Sequence, residues 1–122
     1  MVGKEDYVSL EMAKLLKEKG FDVPCCSQYT DKGTVWRYFH PENFNAYKDY
    51  YSCPTLYEAQ KWIRDTMYIH IEIEYMYGDY WLYDLLRIPN HDLIGLSDRN
   101  IVKYENYEEA LRAGIFEVLE LI

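Results

Sequence analysis

The stretch from Thr55 to Ile88 constrains the fold more than any other part of the chain. Thr55 and Glu58 stand at the spacing of a capping box, in which hydroxyl and carboxylate each satisfy one of the unpaired backbone donors at a helix start. Leu56, Ala59, Ile63 and Met67 then recur at helical spacing, with Trp62 on their flank and Gln60, Lys61, Arg64 and Asp65 facing water. A strictly alternating run follows from Tyr68 to Tyr77, Gly78-Asp79 makes a turn, and Tyr80 to Ile88 returns. The spacing predicts a helix followed at once by a β-hairpin over 68–88.

Gly78 at the first central position of a two-residue loop favours a type II′ turn, whose twist suits paired strands. That loop sets Tyr77 against Tyr80, Tyr75 against Leu82, Ile73 against Asp84 and Ile71 against Leu86. One face then collects Ile69, Ile71, Ile73, Tyr75, Leu82, Leu86 and Ile88, and is expected to be the core face. The other collects His70, Glu72, Glu74, Met76, Trp81, Tyr83, Leu85 and Arg87. Asp84 is the misfit on the core face, which a bulge near the turn or an edge position would relieve.

Two further helices are signalled by their ends. Ser9 is an N-cap for a helix over Leu10 to Lys19, with Val8 placed to staple its first turn. Gly20 supplies a left-handed stop, and Phe21 falls where a Schellman motif sets an apolar contact with Leu16. Asn106 caps the last helix, with Glu108 and Glu109 at its positive end. Ala110, Leu111, Gly114, Ile115, Val118, Leu119 and Ile122 form its apolar stripe. A mid-helix glycine costs about 1 kcal/mol relative to alanine, so Gly114 implies close approach of another element.

Between these helices, Thr30-Asp31-Lys32-Gly33 reads as a turn joining strands Val23 to Tyr29 and Thr34 to Phe39, a second hairpin near 23–39. Pro24 makes the first of these an edge strand. From His40-Pro41 to Cys53-Pro54 there is no periodicity, and so long a structureless loop in a small domain is either functional or hides a short helix. The fold expected is α+β: one domain over 1–122, with three helices packed on one face of a small antiparallel sheet.

The totals narrow the function. Residues 1–40 carry six basic and six acidic side chains, whereas 41–122 carry seven and fifteen, so the net charge of −8 lies wholly in the latter part. No cation cluster faces outward to meet phosphates, so nucleic acid is not an expected partner. Cys25, Cys26 and Cys53 have no paired spacing, the first residues have no apolar leader, and no run approaches membrane-spanning length. Reduced thiols in a cytoplasmic protein, away from any membrane, are the expectation.

Three stretches together carry a resemblance. They are Val8-Ser9-Leu10-Glu11-Met12-Ala13 through Leu15-Leu16 to Gly20-Phe21, then Pro54-Thr55-Leu56-Tyr57-Glu58-Ala59-Gln60-Lys61-Trp62-Ile63, and Tyr107-Glu108-Glu109-Ala110-Leu111 to Leu121-Ile122. In these the chain resembles a group of small proteins of Bacteroides-type gut bacteria and of their phages and mobile elements, a group with no established activity. The resemblance implies a fold and a genomic setting, and no catalytic residue.

Chemistry-bearing clusters each have a plainer reading. His70, Glu72 and Glu74 share a strand face with donors suited to a metal, but a solvated face explains them, and Arg87 opposite His70 would repel a cation. Glu72 and Glu74 lie side by side, whereas glycoside hydrolysis needs carboxyls facing across a sugar. His91-Asp92 lacks a nucleophile beside it. Cys25-Cys26 has no cation or helix start to activate a thiol. No metal, cofactor or catalytic residue is therefore assigned.

The aromatic run is the sharper signal. Trp36, Tyr38, Phe39, Phe44, Tyr47, Tyr50 and Tyr51 crowd one segment, and aromatic side chains on a loop dominate many binding hot spots. The expectation is a non-enzymatic, acidic protein-interaction module, an accessory protein of a phage or mobile element, binding another protein or a copy of itself. Its contact set is Trp36, Phe44, Tyr47, Tyr50 and Tyr51, with Glu72, Glu74, Trp81 and Tyr83 on the hairpin. Two alternatives stand: a small-molecule or carbohydrate binder stacking rings on Trp81 and Tyr83, and an acidic mimic of nucleic acid.

Overall fold

The computed structural model describes residues 6–94 and 102–122. The first five residues, read above as part of a leaderless start, lie outside the described residues. The chain is α+β: α1 (Leu10–Glu18), β1 (Cys25–Thr30), β2 (Val35–Glu42), a 3-10 turn (Phe44–Ala46), β3 (Tyr50–Ser52), α2 (Leu56–Met67), β4 (Ile69–Met76), β5 (Tyr80–Arg87) and α3 (Tyr107–Leu121). The strands form two antiparallel sheets, one of three strands in the order β2-β1-β3 and one of two, β4-β5. Two compact units contain them, one running to Ala59 together with Ile122 and the other from Gln60 to Leu121, so the division falls inside α2. Among the described residues no helix is long and apolar enough to cross a membrane.

In the first unit the expected ends of α1 are present. The Met12 N–H donates to Ser9 Oγ, and the Phe21 N–H returns to the Leu16 carbonyl at 2.9 Å across Gly20, whose φ is +95°. Met12, Ala13 and Leu16 are buried, and α1 lies against β3. The capping box at the start of α2 closes both ways: the Thr55 N–H donates to Glu58 Oε1 at 2.9 Å and the Glu58 N–H to Thr55 Oγ1 at 3.1 Å.

One expectation for this unit is corrected. Pro24 does not put β1 at an edge; it stands one residue before the strand, where a missing N–H is harmless, and β1 is the central strand. The aperiodic segment after His40 does contain a short helix, of the 3-10 kind, and strand on either side of it. It continues β2 to Glu42, makes the short 3-10 turn and ends in β3, which pairs Gln28 with Ser52, Tyr29 with Tyr51 and Thr30 with Tyr50. A three-residue strand is too short to show a period in sequence.

In the second unit Tyr68, at φ +57°, is the whole connection between α2 and β4. The hairpin is present, but its register differs by one residue from expectation. Met76 pairs with Tyr80, Glu74 with Leu82, Glu72 with Asp84 and Ile71 with Leu85. The cause is the turn: the loop is three residues, Tyr77-Gly78-Asp79, with an Asp79 N–H to Met76 carbonyl bond of 3.2 Å and positive φ at both Gly78 and Asp79. Because side chains alternate, this shift inverts β5 relative to β4. Trp81, Tyr83 and Leu85 join Ile69, Ile71 and Ile73, while Leu82, Asp84 and Leu86 join His70, Glu72 and Glu74. Asp84 is no misfit; it lies on the carboxylate-bearing face.

α3 lies against both strands, capped by Asn106, whose side-chain oxygen accepts from the Glu109 N–H at 2.8 Å. Ala110, Leu111, Gly114, Ile115, Val118 and Leu119 are buried. Gly114 is where the helix backbone comes nearest the hairpin. A Cβ there would sit 2.7 Å from Ile71 Cγ2 and 3.1 Å from Tyr83 Cδ2. Replacing Gly114 by alanine gains about 1 kcal/mol of helix propensity. The overlap is with a methyl of Ile71 and a ring, both buried, and such overpacking costs typically about 1–3 kcal/mol. Gly114→Ala is therefore expected to lower the midpoint of urea or thermal unfolding; a raised midpoint would contradict this helix–hairpin contact.

Candidate functional site: an aromatic sheet edge

The β1-β2 turn is closed by the Thr30 N–H to Thr34 carbonyl bond at 2.8 Å and by Gly33 bonding back to Thr30. β2 leaves this turn as the edge of its sheet, and all eight of its residues are exposed. Its first part pairs regularly, Val35 with Tyr29, Trp36 with Gln28 and Arg37 with Ser27. The next partners are Glu42 and Cys25, so Tyr38, Phe39, His40 and Pro41 together stand opposite Cys26. β2 therefore bulges, and Phe39 on the bulge is 99% exposed, with Trp36 at 55%. Large apolar groups displayed together on a surface mark interaction sites more often than single ones do.

The bulge is anchored from beneath. The buried Gln28 amide donates to the Tyr38 hydroxyl at 3.0 Å, and the Tyr38 ring rests on Phe44 with centroids 5.1 Å apart. Asn45 holds the 3-10 turn in place: its amide donates to the Phe21 carbonyl at 2.8 Å and its oxygen accepts from the Ser52 N–H at 2.8 Å. Lys17 then fixes the segment between turn and β3. Its ammonium donates to the carbonyls of Tyr47 (2.6 Å), Lys48 (3.3 Å) and Tyr50 (2.8 Å), and lies 5.0 Å from the Tyr51 ring centre. Lys14 stands over the same ring at 5.6 Å.

Of the residues expected to make contact in this region, Trp36, Tyr47 and Tyr50 are exposed, and Tyr51 is half-buried beneath the two lysines. Tyr47 and Tyr50 meet edge to face, and the Tyr47 hydroxyl donates to the Glu42 carboxylate. That hydrogen bond and the Glu42 charge raise the Tyr47 phenol above its ordinary pKa. Phe44 is corrected: at 5% exposure it is core, supporting Tyr38. Phe39, outside the contact set drawn from sequence, is the most exposed aromatic of the segment. Only the bulge distinguishes it, and a bulge opposite one residue leaves no pattern in a single sequence.

The hairpin residues part in two. Tyr83, at 7% exposure, donates its hydroxyl to Glu117 Oε1 of α3 at 3.0 Å. Trp81 packs against Tyr75 (5.0 Å) and edge-on against Tyr107 of α3 (5.7 Å), and its backbone bonds both ways with Tyr104. Tyr83 is buried and Trp81 half-buried among aromatic neighbours; the one-residue register change turned them toward the helix. Glu72 and Glu74 do lie on the partly exposed face, with His70 and Asp84.

Chemistry elsewhere is muted. Burial, with Glu58 and Cys53 nearby, pushes the Cys25 thiol up to about 12, and burial raises Cys53 to about 11, so neither is a thiolate at neutral pH. Cys26 is exposed. His91 sits at φ +66° with its N–H on the Arg87 carbonyl, and shares a shallow cleft of about 200 Å³ with His70, Leu86, Arg87, Ile88 and Pro89. Among the described residues no three His, Cys, Asp or Glu side chains are grouped to hold a metal ion.

Glu74 shares a hydrogen bond with Asp84, and this, with partial burial and the charges of Asp84 and Glu72, raises its pKa. A carboxyl raised in the fold stabilises the protein while protonated and loses that stabilisation as pH rises through the folded pKa. Glu74→Gln, which cannot ionise, is thus expected to raise the melting temperature at neutral pH. The gain should shrink as pH falls toward the ordinary glutamate pKa of about 4.3. An equal effect at both pH values would contradict a raised Glu74 pKa.

Compared with protein-family models, with curated proteins and with solved structures, the chain matches none.

Proposed function

We propose that the protein is a non-enzymatic interaction module that receives a protein partner on the aromatic edge made by β2 and the segment leading to β3. The observation that carries this reading is β2 itself, a sheet-edge strand with Val35, Trp36, Tyr38 and Phe39 all exposed. A residue as large as phenylalanine gains nothing from full exposure. Buried in a partner's pocket it contributes roughly 1.5–3 kcal/mol. The surrounding segment is held by Gln28, Asn45 and Lys17, so little ordering entropy opposes docking. In the setting that the resemblance implies, the module is an accessory protein of a phage or mobile element.

A second reading rests on the hairpin. Glu72 stands directly opposite Asp84, and Glu74 is hydrogen-bonded to it, so three carboxyls gather on one face. Such a cluster suits a basic partner, as in an acidic mimic of nucleic acid. Stacking of a sugar on Trp81 and Tyr83 is disfavoured by their packing against α3 residues.

Selection of displayed random peptides with the whole protein as bait tests the leading reading. Enriched peptides are expected to bind wild type and to lose about thirtyfold in affinity on Phe39→Ser or Trp36→Ser, with the melting temperature unchanged. Tyr47→Ala with Tyr50→Ala should likewise spare the fold, whereas Phe44→Ser should unfold it. Binding that ignores Trp36 and Phe39 but disappears on Glu72→Lys and in high salt would favour the acidic face instead.

A further inference from the structure

We infer that the partner on the β2 edge is a second copy of this chain, paired antiparallel through β2 about a two-fold axis between Phe39 and His40. This rests on the interaction-module reading and names its occupant.

Two features of the edge select that occupant. The first is the bulge. Bulges and prolines on edge strands exclude regular strands from adding to a sheet, because register is lost at the irregularity. Here Tyr38 to Pro41 interrupt the ladder, and Pro41 has no N–H to donate. A strand that stays in step on both sides has to accommodate this four-residue interruption. A second β2 running antiparallel does so by symmetry.

The second feature is charge. Arg37 and Glu42 are five residues apart, an odd separation that would put them on opposite faces of a regular strand. The bulge changes this. Arg37 stands opposite Ser27 and Glu42 opposite Cys25, two positions of β1 on one face, so Arg37 and Glu42 share a face. In the two-fold pairing, Arg37 of each copy faces Glu42 of the other on that common face, and Phe39 faces His40. Parallel pairing would instead oppose like charges. Both partners keep capacity for the bond: Arg37 donates from Nη1 to Ser27 Oγ at 3.1 Å and stacks on Tyr7, leaving other N–H donors. Glu42 accepts one bond, from Tyr47, and retains lone pairs.

Sedimentation equilibrium of the full chain over a range of concentrations tests the pairing. Wild type is expected to dimerise, and Phe39→Lys, at a fully exposed site, to remain folded and monomeric. Arg37→Glu and Glu42→Arg should each weaken the dimer about tenfold or more, since each sets like charges face to face. An equimolar mixture of those two variants should associate again, because each then meets its complement. A wild type that stays monomeric throughout overturns the pairing; if displayed peptides still depend on Trp36 and Phe39, the module reading survives that result. A dimer indifferent to Phe39→Lys, or charge variants not rescued by mixing, also overturns it.

Discussion

A paired strand has only two faces, so the hairpin of β4 and β5 depends on the length of one turn. Three residues, Tyr77 to Asp79, rather than two, decide that Tyr83 and Leu85 share a side with Ile69 and Ile71. With that choice made, α3 has a surface to cover, and Gly114 lets its backbone approach Ile71 and Tyr83 more closely than a side chain would permit. The Tyr83 hydroxyl, which would be costly to bury alone, reaches Glu117 on the same helix. The opposite face is left with the carboxylates and with His70. One turn residue thus separates the side that meets α3 from the side that bears the carboxylates.

The three-stranded sheet is organised differently. Its centre, β1, carries buried polar side chains, Ser27 and Gln28, and these serve the neighbours more than the core. Ser27 accepts from Arg37, and Gln28 donates to Tyr38, so both tie down the exposed strand beside them. Lys17 performs the same service on the other flank, collecting the backbone carbonyls of Tyr47, Lys48 and Tyr50. A surface rich in large aromatics is held still by polar contacts, which keeps it presented instead of collapsed.

What was legible in sequence, and what was not, follows from the range of each signal. Caps act over three or four residues, so Ser9, Thr55 with Glu58, Asn106 and the Gly20 stop are all where spacing puts them. Helical stripes and the long alternation of β4 are likewise self-contained. Gly114 could be flagged, since its propensity cost demands a reason. Register could not, because Gly78-Asp79 suits either a two- or a three-residue loop, and the deciding contacts come from α3. β3 and the β2 bulge depend on pairing with β1, a non-local event. The aromatic run was visible as composition, but which of Phe39 and Phe44 faced outward depended on the bulge and on the 3-10 turn after it.

The three cysteines, unequal in surroundings, have a practical consequence. Cys25 and Cys53 are buried and stay protonated at neutral pH, so alkylating reagents meet them slowly. Cys26 is exposed, and it is the residue that stands opposite the β2 bulge. The native chain therefore carries a ready attachment point for a fluorophore or spin label beside Phe39, with no substitution required. Whatever settles on that edge should alter the mobility of such a label, so the sequence comes equipped with its own reporter.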